Sequence, residues 1–375
     1  MRQMRFALHG VALSVMTEDA DLGDFLQEQF EAERGADPEA EIAIHASWRW
    51  GAQSPKEDGE SALWALRRAA KVEKLGRGLD LVLDDGRLRA LWSRVPDFPE
   101  LKMAFGFGSG RHPRLEVLAD CEYAPRGVGR RLEYLRPGRV EKKRGRLFFK
   151  LMYFLVYYPL AWKLQRTRGW GLLHASAVTA PSGKTVLLAG LGGVGKSTLG
   201  LSLLSRPGAR LLSDNLLFHD EERVYSCPEP IRLDQAAVEG IAQGGLPPER
   251  TNLPLSAHPK PTYRVAASRR AEAAQPAAVF FLRFAPEPGL TPIDSSRAAE
   301  MLAAGSDLAR EIKDFRPCAA LLTTLSAESG GPAPAAHADL ARLLRSTTCA
   351  IFKIGTGESV ARTASRLEES LGTAR

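Results

Sequence analysis

Hydrophobic and polar positions divide the first 120 residues into short strands and helices. Apolar runs near residues 5–15 and over 41–48 predict strands, and a helical pattern near 20–33 lies between them. A second helix is predicted over 61–72. The run LDLVLDDGRLRALW predicts a hairpin, because Asp85-Gly86 is a preferred two-residue turn between alternating apolar runs. This order of elements predicts a small α+β unit.

A helical pattern follows from Gly145 to Arg168, and it contains the most apolar segment of the chain. The segment LMYFLVYYPLAW, from Leu151 to Trp162, carries no charge and includes Pro159. A membrane-spanning helix needs about 20 apolar residues, so this segment is too short to cross a bilayer. It predicts a core-facing helix, with an interfacial membrane contact as the alternative, and no transmembrane segment is predicted.

From Leu172 onward, apolar strands alternate with helices. Strands are predicted for LLHASAV (172–178), TVLLAG (185–190), ARLLSDNLLF (209–218), PAAVFFLRF (276–284) and CAIFKIGT (349–356). Helices are predicted for KSTLGLSLL, SSRAAEMLAAG, HADLARLLR and SVARTASRLEESL. This alternation predicts an α/β domain over 166–375, preceded by an α+β recognition domain over 1–165 that includes a basic connector and the apolar helix.

Composition narrows the class of protein. The chain has 375 residues, of which 44% are hydrophobic and 25% charged, so disordered and fibrous proteins are excluded as overall descriptions. The four cysteines lie dozens of residues apart, which excludes a disulfide scaffold and a closely spaced zinc or redox motif. The cytoplasm is therefore the expected compartment.

The positive charge of the chain is concentrated in one segment. Between Arg126 and Lys150 there are ten basic and two acidic residues. The net charge of this segment therefore exceeds the net charge of +7 for the whole chain. Because the basicity is local, a nucleic-acid-binding protein is disfavoured. The segment is either a solvated connector or a docking surface for an acidic partner, a membrane or a nucleic acid.

One motif carries specific chemistry. The sequence GLGGVGKS, from Gly190 to Ser197, fits the phosphate-binding pattern G-x-x-x-x-G-K-[ST] and lies between a predicted strand and a predicted helix. Its backbone N–H groups and the helix N-terminus are expected to bind the phosphates of ATP, with Lys196 on the β- and γ-phosphates and the Ser197 hydroxyl on Mg²⁺. The predicted nucleotide-binding residues are Gly190, Gly192, Gly193, Val194, Gly195, Lys196, Ser197 and Thr198.

Two further residues are candidates for the same site. Asp214 ends the strand after the motif's helix and is a candidate Mg²⁺ ligand, with a loop-capping carboxylate as the alternative. If Val178 pairs with Thr185, His174 lies opposite Ala189, beside the phosphate pocket; the alternative is an ordinary core histidine.

Cations that neutralise the transferred phosphoryl group are also expected. Arg232 is the first candidate, followed by Lys260 and Arg264, and each is alternatively a plain surface charge.

Together these runs resemble the catalytic domain of the HPr serine kinase/phosphorylase family. The resemblance rests on LHASAV, LAGLGGVGKST, RLLSDN and CPEPIRL, and it covers roughly 170–285, with 285–375 similar in element order. It is nearest to the divergent members, such as lasso-peptide precursor kinases. It implies the P-loop fold shared with phosphoenolpyruvate carboxykinase, with Asp214 as the base toward an acceptor serine and His174 and Lys196 in the active site.

The sequence departs from the family at two positions. Asn215 stands where the true HPr kinases have a second aspartate, and Thr198 stands where they have a glutamate after the serine. The first departure removes a carboxylate and so weakens the expectation of phosphorolysis. The second makes the loop more similar to that of ordinary GKST ATPases and kinases, and HPr itself is therefore an unexpected substrate.

Three functions are compatible with these features. The first is an ATP-dependent kinase acting on a hydroxyl, a serine of a peptide or small protein. The second is a kinase of a small-molecule hydroxyl, and the third is a nucleotide-binding regulator without phosphotransfer. The basic segment 126–150 favours a large acidic partner, and Asp214 favours phosphotransfer over binding alone. The sequence is also compatible with a homo-oligomer.

Overall fold

The computed structural model describes residues 1–50, 63, 71–76, 78–84, 87–108, 113–123, 138–233, 238–239, 249–250, 262–329 and 335–373. These residues form two compact units. The first unit lies within 1–164 and 314–334, and the second lies within 165–251, 260–313 and 335–375. The architecture is mixed α/β, as the sequence predicts.

A nine-stranded sheet forms the framework of the first unit. Its strands are β1 (Arg2–Leu8), β2 (Val11–Thr17), β3 (Glu33–Arg34), β4 (Ile42–Trp50), β5 (Lys71–Gly76), β6 (Leu79–Asp84), β7 (Arg87–Trp92), β8 (Leu101–Phe107) and β9 (Leu115–Tyr123). They lie in the order β3-β1-β2-β4-β9-β8-β7-β6-β5. The β2–β4 and β4–β9 pairs are parallel, and the other neighbouring pairs are antiparallel.

Aromatic residues of the helices build the core of this unit. The helices are α1 (Ala20–Phe30), α2 (Arg139–Met152), a π-helical turn (Tyr153–Tyr157) and α3 (Tyr158–Arg168). The ring of Phe148 contacts those of Phe25 and Trp48, each with centroids 5.6 Å apart. Every residue from Leu151 to Trp162 is buried, which confirms the predicted core-facing helix. Among the described residues, none of the helices combines the length and apolar character needed to cross a membrane.

Pro159 explains why the helix widens before it. Proline has no backbone N–H, so the helical bond from residue 159 to residue 155 cannot form. The chain instead closes a wider turn, in which the N–H of Tyr158 donates to the carbonyl of Tyr153. Such π-helical insertions are short and local, and helix α3 continues directly after this one.

Some elements of the first unit differ from the sequence predictions. The single strand predicted near 5–15 is a hairpin, because His9 and Gly10 both adopt positive φ (50° and 72°) and reverse the chain between β1 and β2. The predicted hairpin turn at 85–86 lies outside the described residues, although β6 and β7 pair antiparallel on either side of it. Of the predicted helix over 61–72, residue 63 is helical, residues 71 and 72 belong to β5, and the rest lies outside the described residues.

The second unit is built on a six-stranded sheet with two smaller sheets beside it. The order of the large sheet is β13-β11-β12-β20-β22-β21, and β12, β20 and β22 are parallel at its centre. The smaller sheets have the orders β10-β14-β15-β19 and β16-β18-β17. The strands are β10 (Gly171–His174), β11 (Ser176–Thr179), β12 (Thr185–Ala189), β13 (Arg210–Ser213), β14 (Leu216–His219), β15 (Val224–Ser226), β16 (Ile231–Arg232), β17 (Glu249–Arg250), β18 (Thr262–Arg264), β19 (Ala273–Ala274), β20 (Pro276–Ala285), β21 (Gly289–Pro292) and β22 (Thr348–Gly355).

Both faces of the large sheet are buried. The helices are α4 (Lys196–Leu204), α5 (Ser295–Leu308), α7 (Leu340–Leu343) and α8 (Val360–Thr373), together with the start of α6 (Arg310–Glu328), whose residues from Asp314 onward belong to the first unit. Val186 and Leu188 of β12 pack in the cluster that contains α4 and α8, and Leu187 and Ala189 pack on the other face in the cluster that contains α5. Burial on both faces explains why the central strands are continuous apolar runs.

Two predicted strands of this unit are each divided. The run 172–178 forms β10 and β11, which belong to different sheets, and the run 209–218 forms β13 and β14. The predicted helix HADLARLLR is helical only over Leu340–Leu343.

Candidate functional site

The loop between β12 and α4 has the backbone shape that its glycines allow. Gly190 and Gly195 adopt φ values of 135° and 95°, which side-chain-bearing residues rarely reach. A Cβ on Gly190 would lie 3.0 Å from the carbonyl oxygen of Leu282. Gly190 therefore lets the loop leave the sheet close to the neighbouring strand, and Gly195 turns the chain into α4.

The N-terminus of α4 suits an anion. The N-cap residue is Gly195, which has no side chain to bond to the first N–H groups of the helix. Ser197 and Thr198 lie half-buried in the first turn, and Val194 is buried in the core cluster beneath the loop. These N–H groups and the helix dipole together favour a phosphate group at this end.

Lys196 folds back over the start of the loop. Its ammonium donates to the carbonyl oxygens of Gly190 (2.8 Å) and Leu191 (3.2 Å), and the residue is only 9% exposed. Burial lowers the pKa of Lys196, and the negative charges of Asp214 and Glu311 oppose that shift. The loop thus contains a buried cation whose hydrogen-bond acceptors are neutral carbonyl groups.

Asp214 is a buried carboxylate between β13 and β14, and it is 8% exposed. Burial raises the pKa of Asp214, whereas interactions with the hydroxyls of Ser197 and Ser176 and with the charge of Arg232 lower it. Lys196 adds a weaker effect in the same direction. The carboxylate is therefore placed among the motif's lysine and serine.

The turn that presents Asp214 is held by its neighbours. The Ser213 hydroxyl donates to the carbonyl of Cys227 (2.6 Å) and accepts from the N–H of the same residue (3.3 Å). Asn215 has a φ of 94°, a left-handed conformation that asparagine tolerates better than most residues. Its side-chain amide donates to Glu229, which is buried (3.1 Å).

The contact with Glu229 gives the departure at position 215 a structural role. A carboxylate at this position would face the carboxylate of Glu229 without an amide hydrogen to donate.

The strand pairing that positions His174 differs from the predicted one. Thr179, not Val178, pairs with Thr185, because residues 180–184 form the turn. His174 itself lies on β10 opposite Leu216 of β14, so the predicted pairing with Ala189 is wrong. Its backbone N–H donates to the Ser306 hydroxyl (3.0 Å).

The His174 ring is nevertheless within electrostatic reach of the loop. Burial, with a further contribution from the positive charge of Lys196, lowers the pKa of His174 to about 4. Glu311 and a hydrogen bond with Asn215 oppose the shift. The imidazole is therefore neutral at physiological pH.

Arg232 extends the set of charged residues. It lies on β16 and forms an ion pair with Glu311 of α6 (3.6 Å). Its charge lowers the pKa values of both Asp214 and His174. Glu311 was not predicted, because it follows the motif by more than 100 residues and belongs to no motif of its own.

The other two candidate cations are placed differently. Arg264 lies on β18, two residues beyond Thr262, which is the partner of Arg232 in the three-stranded sheet. Lys260 lies outside the described residues.

The oxygen donors of the site fit Mg²⁺ in combination with phosphate. The described residues contain no group of three or more His, Cys, Asp or Glu side chains that could hold a metal ion alone. Mg²⁺ at nucleotide sites is usually held by one or two protein oxygens together with phosphate oxygens and water. The Ser197 hydroxyl and the Asp214 carboxylate supply that kind of incomplete ligand set.

Comparison with known proteins adds no family assignment. No model of a known protein family matches the chain, and no curated protein is significantly similar to it. The function is therefore inferred from the residues and geometry of the site.

Proposed function

We propose that this protein is an ATP-dependent kinase that transfers the γ-phosphoryl group to a hydroxyl, a serine of a peptide or small protein. The observation that carries this proposal is the position of Asp214. A buried carboxylate interacts with Lys196 and Ser197, the two chemically active side chains of the phosphate-binding motif. A carboxylate at that point can accept the proton that a hydroxyl acceptor must lose during phosphotransfer.

The loop supplies the phosphate-binding part of the site. In this proposal its backbone N–H groups and the N-terminus of α4 bind phosphate oxygens, since a helix N-terminus favours an anion. Lys196 exchanges its carbonyl partners Gly190 and Leu191 for the β- and γ-phosphates, which are stronger, charged acceptors. When bound, Mg²⁺ neutralises charge on these phosphates, with Ser197 and Asp214 as its candidate protein ligands.

In this proposal Asp214 acts as the general base toward the acceptor hydroxyl. It accepts the proton of the serine hydroxyl as the serine oxygen forms its bond to the γ-phosphorus. The bond between that phosphorus and the β–γ bridging oxygen breaks, and ADP leaves with the electron pair. Arg232, which already acts electrostatically on Asp214, stabilises the charge that develops on the transferred group.

His174 has a positioning role in this scheme. Because its pKa is lowered to about 4, it is neutral and cannot act as a cation toward phosphate at physiological pH. Its hydrogen bond with Asn215 links it to the turn that carries Asp214. We therefore expect His174 to orient the turn and the acceptor rather than to bind charge.

The proposal is tested by separating nucleotide binding from phosphotransfer. Isothermal calorimetry with Mg-ATP should show binding by the wild type and a large loss of affinity in Lys196→Ala, because the substitution removes the cation of the loop. Asp214→Asn keeps the shape of the side chain, so its ATP affinity should change little. Its transfer rate to serine peptides should fall roughly 10²- to 10⁴-fold, the usual scale of general acid–base assistance.

Two results would contradict the proposal. A wild-type protein that binds no Mg-nucleotide would exclude a kinase of any kind. An Asp214→Asn protein with near wild-type transfer would place the base elsewhere and leave the site without its central feature.

A further inference from the structure

A largely apolar cavity of about 370 Å³ opens beside the loop within the second unit. Its walls come from the ends of β12 and β20, from β22 and from the second half of α5. Among the residues that line it, only His174 and Arg283 carry a polar or charged side chain. Its volume lies at the small end of the range of about 300–1,000 Å³ that is typical of ligand pockets.

The cavity lies at the end of the loop where Lys196 is found. Gly190 and Leu191 line the cavity, and their carbonyl oxygens are the two acceptors of the Lys196 ammonium. Residues Ser197 and Thr198, at the start of α4, do not line it. In a phosphate-binding loop of this kind the lysine binds the β- and γ-phosphates. The cavity is therefore expected to lie next to the end of the nucleotide that carries the transferable phosphoryl group.

The rim of the cavity is unusually apolar for a surface. Leu191 and Leu308 line it and are 64% and 60% exposed, which places them among the most exposed large apolar side chains of the described residues. Inside, Phe281 and Leu302 are almost fully buried and form its floor. An apolar side chain entering here would remove the two exposed leucines from water as well as its own surface.

We propose that this cavity binds a large apolar side chain adjacent to the hydroxyl residue of a polypeptide acceptor. The inference rests on the proposed kinase function and adds the recognition element of its substrate. A nucleotide base is the competing occupant, but it belongs at the end of the nucleotide away from the γ-phosphate, whereas this cavity adjoins the residues that hold Lys196. Arg283 at the same cavity favours acceptors without a positive charge beside the apolar residue.

Gly305 offers a way to fill the cavity without touching the catalytic residues. It lies in α5 and lines the cavity, and a Cβ added there meets no atom within 4 Å apart from its chain neighbours and the backbone of its own helix. Gly305→Leu should therefore place an isobutyl group in the open space, and leucine is a better helix former than glycine. Ala303→Leu is the matched control, because Ala303 is exposed on the same helix and does not line the cavity.

The test uses Ser-centred peptide pools, each with one flanking position fixed to a single amino acid, and Mg-ATP labelled at the γ-phosphate. Wild type and Ala303→Leu should prefer Leu, Ile, Met or Phe at one flanking position over Ser or Lys. Burial of one such side chain corresponds to roughly a ten- to hundredfold effect on binding. Gly305→Leu should raise the KM for the preferred pool by about tenfold or more, with the calorimetric Kd for Mg-ATP unchanged.

The other outcomes overturn the inference. Equal use of all pools, or a KM unchanged by Gly305→Leu, would show that the cavity does not recognise the acceptor while leaving the kinase proposal intact. A loss of Mg-ATP affinity in Gly305→Leu would assign the cavity to the base. No transfer to any pool would also overturn it, and Mg-ATP binding by the same protein would then show whether the kinase proposal fails with it.

Discussion

The burial of Asp214 lowers the stability of the folded protein, but it places the carboxylate where the proposed phosphotransfer needs a base. Because burial raises its pKa in the folded state, this group contributes stability that is present below its unfolded pKa and lost as pH rises through the folded pKa. The ionised form of Asp214 is therefore disfavoured in the folded protein. Active sites often retain such locally destabilising groups.

The expected consequence is that Asp214→Asn is more stable than the wild type at neutral pH, although its transfer activity is low. The difference in melting temperature should shrink as pH falls toward 4, because the wild-type carboxyl then becomes neutral as well. Thermal unfolding followed by circular dichroism at pH 7 and pH 4 measures both effects. A variant that melts below the wild type at pH 7 would mean that hydrogen bonds to the carboxylate outweigh the cost of its burial.

His174 has the opposite dependence on pH. Its folded-state pKa of about 4 lies below its ordinary value, so the stability linked to it is present at neutral pH and lost as pH falls through the folded value. We expect the wild type to lose up to about 3 kcal/mol more than His174→Gln between pH 6.5 and 4. Urea unfolding of both proteins at several pH values in this window provides the comparison. Parallel pH profiles would show that the imidazole protonates freely in the folded protein.

At the level of elements, helix α4 lies unusually close to strand β11. A Cβ on Gly200 would come within 2.7 Å of the Ser176 hydroxyl oxygen, which is buried and forms no hydrogen bond of ordinary length, but which is close enough to Asp214 to lower the pKa of that carboxyl. The glycine that lets the helix approach the strand therefore also keeps that hydroxyl in place. Packing and site electrostatics are coupled at this contact.

Gly200→Ala should displace the Ser176 hydroxyl and raise the pKa of Asp214 further. The overpacking is expected to cost roughly 1–3 kcal/mol, partly offset by about 1 kcal/mol from the better helix propensity of alanine. The acid limb of the pH–rate profile for phosphotransfer should move to higher pH. Adding Ser176→Gly should restore stability but not the position of that limb, and recovery of both would exclude a role for the hydroxyl.

The elements also show how far the sequence could predict this structure. The loop and α4 are predicted because residues 190–204 contain both the glycines that permit the turn and the helix that follows. The break between β10 and β11 is not predicted, because an unbroken apolar run does not reveal that its two halves join different sheets. Glu311 was missed for a related reason: only the tertiary fold brings α6 beside Arg232.

For the whole molecule, the chain order and the spatial units do not coincide. Residues 314–329 belong to the first compact unit although they follow most of the second in sequence. There, Asp314 pairs with Lys150 of α2 (3.3 Å), and Phe315 packs against Tyr158 of α3, with ring centroids 5.7 Å apart. A single cut near residue 165 therefore would not yield two complete units, and experiments on this protein require the full chain.

In the described part of the basic segment 126–150, the basic side chains fall into two sets, one in ion pairs and one exposed. Three of its cations form ion pairs inside the first unit: Lys143 with Glu100, Arg144 with Asp21 and Lys150 with Asp314. These residues contribute to the fold. Residues 126–137 lie outside the described part of the chain.

The other described cations of the segment form a separate, exposed face of α2. Arg139, Lys142 and Arg146 are exposed, and their spacing of three and four residues places them on one side of the helix, which we call the basic face. The basic face is the part of the segment available to an acidic partner.

If an acidic acceptor docks on the basic face, replacing Arg139, Lys142 and Arg146 together with Ser should raise the KM for that acceptor at low salt. The Kd for Mg-ATP and the melting temperature should stay close to wild type, since the three side chains are exposed. The difference in KM should fade as ionic strength rises, because the screening length shortens from about 10 Å at 0.1 M salt to about 3 Å at 1 M. Lys143→Ser is the contrasting variant: it weakens the ion pair with buried Glu100 and should lower stability instead. An acceptor KM that is equal in the wild type and the triple variant at low salt would identify the basic face as a solvated surface and leave recognition of the acceptor to the second unit.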